Sequence, residues 1–245
     1  MPARELYQSG QLNAAIQAVV AELRDNPMDA KRRTFLFELL CFAGEYERAD
    51  KHLEVLGQSS PDAATGALLY RAALAAERTR HELFGKGEFS EARSAPEALR
   101  GTLNGQPFES LEDADPRIAT RLEVYAAGDY LWVPMEHISS IQMEAPKRLR
   151  DLIWIPALVR TGPAFQGQEL GQVLIPALAP FSFRHADDAV RLGRATVWEE
   201  QGDSGAVPFG QKTLLVDGEE VPLLEVRSLE INAAETAPQA HASAQ

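Results

Sequence analysis

Cys41 is the only cysteine in 245 residues, so it has no partner within the chain. An intramolecular disulfide and a cysteine-rich zinc site are excluded. No apolar run approaches the roughly 18 residues of a membrane-spanning helix. The start, Met1-Pro2-Ala3-Arg4-Glu5, lacks the apolar core of a signal peptide. These absences lead us to expect a soluble, cytoplasmic chain. Positive charge is scarce as well: 24 Lys+Arg against 36 Asp+Glu leave a net charge of −12. Phosphate backbones need clustered Lys and Arg, so nucleic acid is not an expected partner. The five histidines (52, 81, 137, 185 and 241) show no i, i+4 ligand spacing. A glycine-rich phosphate loop ending in Lys-Ser/Thr is also missing, and no cofactor is expected.

What is present is ordinary globular material, 45% hydrophobic and 24% charged. Its charge is unevenly placed. Residues 1–100 hold 13 basic and 15 acidic side chains, whereas 101–245 hold 11 and 21. The apolar pattern changes over the same boundary. Leu12, Ile16, Val19, Val20 and Leu23 recur at helical spacing, and Asn26-Pro27 breaks the run. A second helix fits Asp29 to Ala43, with apolar residues on more than one face, and Gly44 ends it. A third stripe, Tyr46, Ala49, Leu53 and Leu56, stops at Gly57, and a long Ala-rich helix fits Asp62 to Phe84.

Gly10-Gln11-Leu12-Asn13-Ala14-Ala15 aligns with Gly44-Glu45-Tyr46-Glu47-Arg48-Ala49 at a shift of 34 residues, the period of tetratricopeptide helix pairs. A weaker third copy starts at Gly87-Glu88-Phe89. Stacked helix pairs form curved surfaces that hold peptides or helices, although a plain helical bundle would read similarly. After residue 105 the period becomes two. Arg121–Tyr125 and Tyr130–Val133 flank a turn at Gly128-Asp129, and Thr213–Val216 and Val221–Leu224 flank Asp217-Gly218. Leu152–Ile155 and Gln172–Ile175 each run into Pro-Ala-Leu, which suits a strand end or an edge. The expected fold class is α+β: a tetratricopeptide-like antiparallel helix-pair array over 1–104, then a small antiparallel barrel-like or sandwich domain over 105–231. The Ala/Gln/Ser-rich segment 232–245 reads as a disordered tail.

Few residues offer chemistry. Cys41 lies among Leu and Phe, so a buried structural thiol is expected. Asp113, Asp115 and Arg117 bring carboxylates and a guanidinium together, but the calcium-loop Gly and distal Glu are missing. They read as a loop with an internal ion pair, or as an enzymatic cluster. Gly202-Asp203-Ser204-Gly205 resembles a serine-protease nucleophile loop without its His and Asp partners in context. Lys147-Arg148-Leu149-Arg150 is the one basic cluster of the acidic half, and Arg148 and Arg150 either pair internally or meet an acidic partner.

Longer runs carry a family likeness. Arg33 to Asp50, Asp113 to Arg117, Tyr130 to Pro134, Arg148 to Ala157, Gly171 to Pro176, Arg191 to Trp198 and Pro222 to Arg227 together resemble the ImpE family, also called SciE or TagJ, of type VI secretion accessory proteins. Leu131, Ile155 and Val197 depart from the family pattern within those runs. The resemblance implies an accessory role in a contractile, phage-tail-like secretion machine, with no catalytic residues to carry over. It further implies a non-enzymatic adaptor that binds the N-terminal helix of the small sheath subunit and links the sheath to the AAA+ ATPase (ClpV) that disassembles it. The helix-pair groove is the default seat for such a helix. Arg33, Phe37, Glu38 and Tyr46 are its candidate contacts. The alternatives are an enzyme built on Asp113, Asp115 and Arg117 or on the Asp203-Ser204 loop, and a helical scaffold outside secretion.

Overall fold

The computed structural model describes residues 1–87, 99–163, 165, 169–202 and 205–232. The expected third repeat copy at 88–92, the Asp203-Ser204 pair and the tail from 233 onward lie outside the described residues.

Helices come first. A short α1 (Ala3–Gln8), with too few residues to show a period, precedes α2 (Leu12–Asp25), α3 (Ala30–Phe42), α4 (Tyr46–Gly57) and α5 (Pro61–Lys86), and each packs on the next. Two starts are capped by side chains. The carboxylate of Asp29 accepts from the Arg32 N–H at 3.0 Å, and the Ser60 hydroxyl accepts from the Ala63 N–H at 3.1 Å with Pro61 following. Helix α3 is buried on every face from Phe35 to Phe42, so its apolar residues pack against neighbours on several sides. The 34-residue repeat is visible as local geometry. Gly10 and Gly44 both take positive φ, at 80° and 71°. The bulky residues two positions on, Leu12 and Tyr46, are buried, as are Ala15 and Ala49 five positions on.

From Gly101 the chain is built of strands. The main sheet has eight antiparallel strands in the order β2 (Gln106–Phe108), β1 (Gly101–Leu103), β13 (Ser228–Ile231), β6 (Ile138–Met143), β7 (Trp154–Thr161), β8 (Gly171–Pro176), β4 (Arg121–Ala126), β5 (Asp129–Pro134). Strands β2 and β5 are its two open edges, so of the two expected forms, barrel-like or sandwich, a closed barrel is not formed. A three-stranded sheet joins β3 (Leu111–Asp113), β11 (Thr213–Val216) and β12 (Glu219–Pro222), and β9 (Thr196–Glu200) pairs with β10 (Ala206–Gly210). A single turn of helix, α6 (Asp188–Arg191), precedes β9.

Both expected hairpins form. The first turn sits one residue early, at Ala127-Gly128, and the second at Asp217-Gly218, all four with positive φ as tight two-residue turns require. Pro156 lies inside β7 rather than at its end, but β7 pairs with β6 only from Ala157 onward. The missing N–H therefore has no neighbour on that side.

The faces of the main sheet are clad differently. One face, with Ile155, Val159, Val173 and Ile175, packs on residues such as Leu111 and Leu214 of the three-stranded sheet. The other presents Tyr125, Trp154 and Leu174 to the helices, and these three belong to one continuous core with Leu36, Phe37, Leu40 and Leu74. No helix among the described residues is long and apolar enough to cross a membrane.

Candidate functional site

Three of the four groove candidates are interior. Phe37 is 1% exposed and packs against the rings of Tyr70 and Trp154, at 6.0 and 6.5 Å. Glu38 is buried and accepts from Arg150 at 2.9 Å. Burial raises the Glu38 carboxyl pKa, against the pull of Arg150. Tyr46 stacks on His81 at 5.7 Å and meets Phe183 edge-on at 6.0 Å. Arg33 is half-buried, 3.1 Å from His52 Nδ1, and also donates to the Pro27 carbonyl. The groove positions inferred from helix periodicity are therefore covered by the chain itself in three cases of four. Periodicity finds a buried face; it does not say whether the chain itself supplies the cover.

The basic cluster divides. Arg150 turns inward, donating to Glu38 and to the Tyr70 hydroxyl at 2.9 Å with its guanidinium 4.9 Å from the Tyr70 ring. Arg148 stays exposed, with no ion-pair partner among the described residues. Lys147 is exposed and pairs with Glu144.

The Asp113, Asp115 and Arg117 cluster is closed. Arg117 clasps Asp115 through two bonds, 2.8 and 2.6 Å, and its guanidinium lies 4.9 Å from the Phe84 ring. Asp113 accepts from the Asp115 N–H at 3.0 Å and from Lys212 Nζ at 2.6 Å. Lys212 also donates to Glu123, which accepts two bonds from Arg80 at 2.7 and 2.9 Å and one from the Tyr130 hydroxyl at 2.6 Å. Arg80 reaches Glu77 at 3.2 Å and the Leu178 carbonyl at 3.1 Å. Glu77 also accepts from the Tyr125 hydroxyl and from Trp154 Nε1, the latter at 2.9 Å. One connected, buried network thus bolts the C-terminal half of α5 to β3, β4, β5, β7 and the residue before β11.

Its electrostatics follow from burial. Burial acts to raise the Glu123 carboxyl, but the charges of Arg80 and Lys212 outweigh it and hold the pKa far below the usual range. Burial pushes Asp113 up to about 6, against the attraction of Lys212. His81, desolvated beside Glu77, is lowered to about 4. Burial lifts the Cys41 thiol well above its ordinary value, away from the thiolate that reactivity needs. Among the described residues no group of three or more His, Cys, Asp and Glu side chains is placed to hold a metal ion. The acids of the network face Arg80 and Lys212.

Sequence reading missed the centre of this network. Glu123 lies between Leu122 and Val124, where strand alternation sends it outward; the structure leaves it 0% exposed because both sheet faces are covered. Glu77 and Arg80, at i and i+3 on α5, were the available signal.

The open surface is elsewhere. Between the N-terminal half of α5 and strands β6 to β8 runs a groove of about 910 Å³. Leu68 and Leu69 of α5 overhang it, 71% and 50% exposed. Its floor continues the sheet face of Trp154 and Leu174 outward to Pro156 and Leu158, with Gln142 and Gln172 on either side of Leu158. Lys147 and Arg148 stand at one end. A smaller hollow of about 510 Å³ lies between α2 and α4, lined by Ile16, Val20, Arg24 and Arg48 among others.

The family model described as ImpE protein matches residues 105–230, and a type VI secretion system accessory component, TagJ, from Pseudomonas aeruginosa is 33% identical over 94% of this chain and 91% of its own length. The chain belongs to the ImpE family. The ImpE fold also has a crystallographic counterpart. An X-ray structure of a Vibrio parahaemolyticus protein, 21% identical, superposes with a TM-score of 0.80 over 94% of this chain and 97% of that one. Helical region and sheets therefore recur together across a wide sequence distance. In this ImpE member the acid–base network is closed, whereas the groove beside α5 is open.

Proposed function

We propose that this protein is a non-enzymatic, cytoplasmic adaptor of a type VI secretion system. It binds the N-terminal helix of the small sheath subunit and links the sheath to the ClpV-type AAA+ ATPase that disassembles it. The observation that carries this reading is the contrast between the two candidate sites. Each ionisable group of the acid–base cluster is engaged inside the protein, while a groove of about 910 Å³, lined largely by apolar side chains, is left open, the kind of surface that suits a segment of another chain. The family membership and the accessory-component name of the Pseudomonas relative support the same assignment.

In this proposal residues 1–104 act as a tetratricopeptide-like array and 105–231 as the domain that backs it. Arg33 is the member of the original four able to touch a partner directly. Phe37, Glu38 and Tyr46 act from inside by holding α3 and α4 against α5 and the segments that carry Arg150, Trp154 and Phe183. Asp113, Asp115 and Arg117 are structural. Nucleic acid, membranes and cofactors have no part in the assignment, and the net charge of −12 opposes phosphate.

A labelled synthetic peptide of the small sheath subunit's N-terminal helix, titrated with full-length protein, tests the reading. Micromolar or tighter binding is expected. No binding, together with a turnover that Asp115→Ala abolishes, would replace the adaptor by the enzyme.

A further inference from the structure

Strand β9 pairs with β10 on one side only. Two observations fix the direction of its backbone groups. The Gln201 N–H donates to the Gly205 carbonyl at 2.8 Å, so 201 and 205 form a hydrogen-bonded pair of the hairpin. Alternation then makes Glu199–Val207 and Val197–Phe209 bonded pairs, and turns the N–H and C=O groups of Thr196, Trp198 and Glu200 away from β10. Pro208, opposite Trp198, has no N–H to give, which fits the same parity. On the far side of β10 the corresponding groups of Gly210 are spent, donating to Ser182 Oγ and accepting from the Ala179 N–H, both at 2.8 Å. On the far side of β9 the outward groups have no hydrogen-bond partner among the described residues.

Other strand edges are blunted. Strand β2 is three residues long with Pro107 at its middle, β3 is three residues long, and β5 and β12 end on Pro134 and Pro222. Strand β9 runs for five residues without Pro or Lys. Val197 packs inward, against a cluster that holds Phe209 and Phe84. Trp198 and Glu200 share the opposite face, with Trp198 38% exposed and Glu200 exposed as well. Trp198 ends one of the runs that carry the family likeness, yet neither the buried network nor the groove beside α5 uses it.

Charge selects what this edge can take. Residues 101–245 hold 11 basic and 21 acidic side chains. At the edge itself, Glu199 lies 3.3 Å from His185 Nε2, and Glu200 has no ion-pair partner among the described residues. A strand laid beside β9 sets alternate side chains next to Trp198 and Glu200. Arg or Lys suits both places, over the indole ring and against the carboxylate. We propose that β9 is a docking edge for an extended, basic segment of a partner protein. The segment adds as a third strand, meets the outward groups of Thr196, Trp198 and Glu200 with its own backbone, and carries Arg or Lys at every second position. The proposal is independent of what occupies the groove beside α5.

Anisotropy titrations of the full-length protein at about 0.15 M salt test this with three labelled peptides. One alternates Arg with Val, one has the same composition with its Arg residues in a block, and one alternates Glu with Val. The alternating Arg peptide is expected to bind about tenfold tighter than either of the others. Glu200→Lys and Trp198→Thr should each weaken it by about tenfold. Glu200→Lys changes only an exposed side chain, so its melting temperature should hold. With the peptide bound, amide exchange at Trp198 and Glu200 should slow about tenfold or more, while Val197 and Glu199, already bonded to β10, change less. The sheath-subunit helix should bind both variants as it binds the wild type.

The proposal is overturned if the blocked or Glu-bearing peptide binds as tightly as the alternating Arg peptide, or if both substitutions are silent. Binding that leaves the Trp198 and Glu200 amides exchanging at their free rate would reduce the contact to surface charge and overturn strand addition. A dimer that Trp198→Thr converts to monomer would make β9 a self-pairing edge and overturn the basic segment as its occupant. Loss of the sheath-subunit helix in Glu200→Lys would place that helix here, and would overturn the proposal as well.

Discussion

At the scale of single residues, Asp113 decides how the buried network responds to pH. The connected core of the network holds Glu77, Glu123 and Asp113 against Arg80 and Lys212, which leaves one negative charge in excess. His81 does not balance it, because desolvation keeps that ring neutral down to about pH 4. The excess falls on Asp113, whose carboxyl titrates at about 6 instead of its ordinary 3.8. A raised acid binds its proton more tightly in the folded state. Its stabilisation is present in full below pH 3.8 and is lost as pH rises through 6. Glu123 works in the opposite sense, stabilising above its ordinary 4.5 and losing that effect as pH falls. Asp113→Asn, which cannot ionise, should therefore match the wild type at pH 4 and exceed it at pH 7 by on the order of 3 kcal/mol. Urea unfolding at both pH values checks this, and an unchanged wild-type-to-variant gap across the range would refute it.

At the scale of elements, the connection between α3 and α4 shows a repeat signature becoming a packing constraint. Gly44 takes φ 71°, and a Cβ built there would lie 2.3 Å from the Phe183 ring. Gly10 occupies the equivalent turn with its nearest such atom at 3.8 Å, the end of the Arg194 side chain. Gly44→Ala therefore combines left-handed backbone strain with overpacking against a ring, and about 2–4 kcal/mol of destabilisation is expected. Gly10→Ala should suffer the backbone strain alone, about 1–2 kcal/mol. Thermal unfolding of the two variants side by side measures the difference. Equal losses would show that Phe183 yields without cost. The helix starts, the two hairpins and this repeat were all legible in the sequence, because caps, turn residues and spacing are local. Helix α1 was not, since six residues carry too little periodicity.

At the scale of the whole molecule, helices and sheet share one core. Phe37 of α3, Tyr70 and Leu74 of α5, and Trp154 of β7 pack together, and the Glu38–Arg150 and Arg80–Glu123 pairs cross the same boundary. Separating the halves would expose that face and leave Arg80 and Glu123 without their partners, a change that costs about 3–5 kcal/mol for a buried pair. A fragment of residues 1–87 should keep helical far-ultraviolet circular dichroism but bind a hydrophobic dye and unfold without a sharp transition. A cooperative melt equal to that of the full chain would refute this. The charge asymmetry between the halves, read as a mark of two modules, therefore coexists with a strongly shared interior.

The family membership, the α+β order, the helix boundaries and the absence of disulfide chemistry were readable in the sequence, each from neighbouring residues or from runs of them. Three matters were decided only by tertiary structure. The sheet stays open with edges at β2 and β5, because strand partners 86 to 130 residues apart in sequence, such as Leu103 and Leu229, set its order. Glu123 turns inward because Arg80 and Lys212, 43 and 89 residues distant in the chain, converge on it. Three of the four candidate contact residues are buried while Leu68 and Leu69 are left open, because burial depends on where the sheet lies relative to each helix face. A period of 3.6 marks the face that seeks cover; the assembled layers determine which part of the strip their own chain covers.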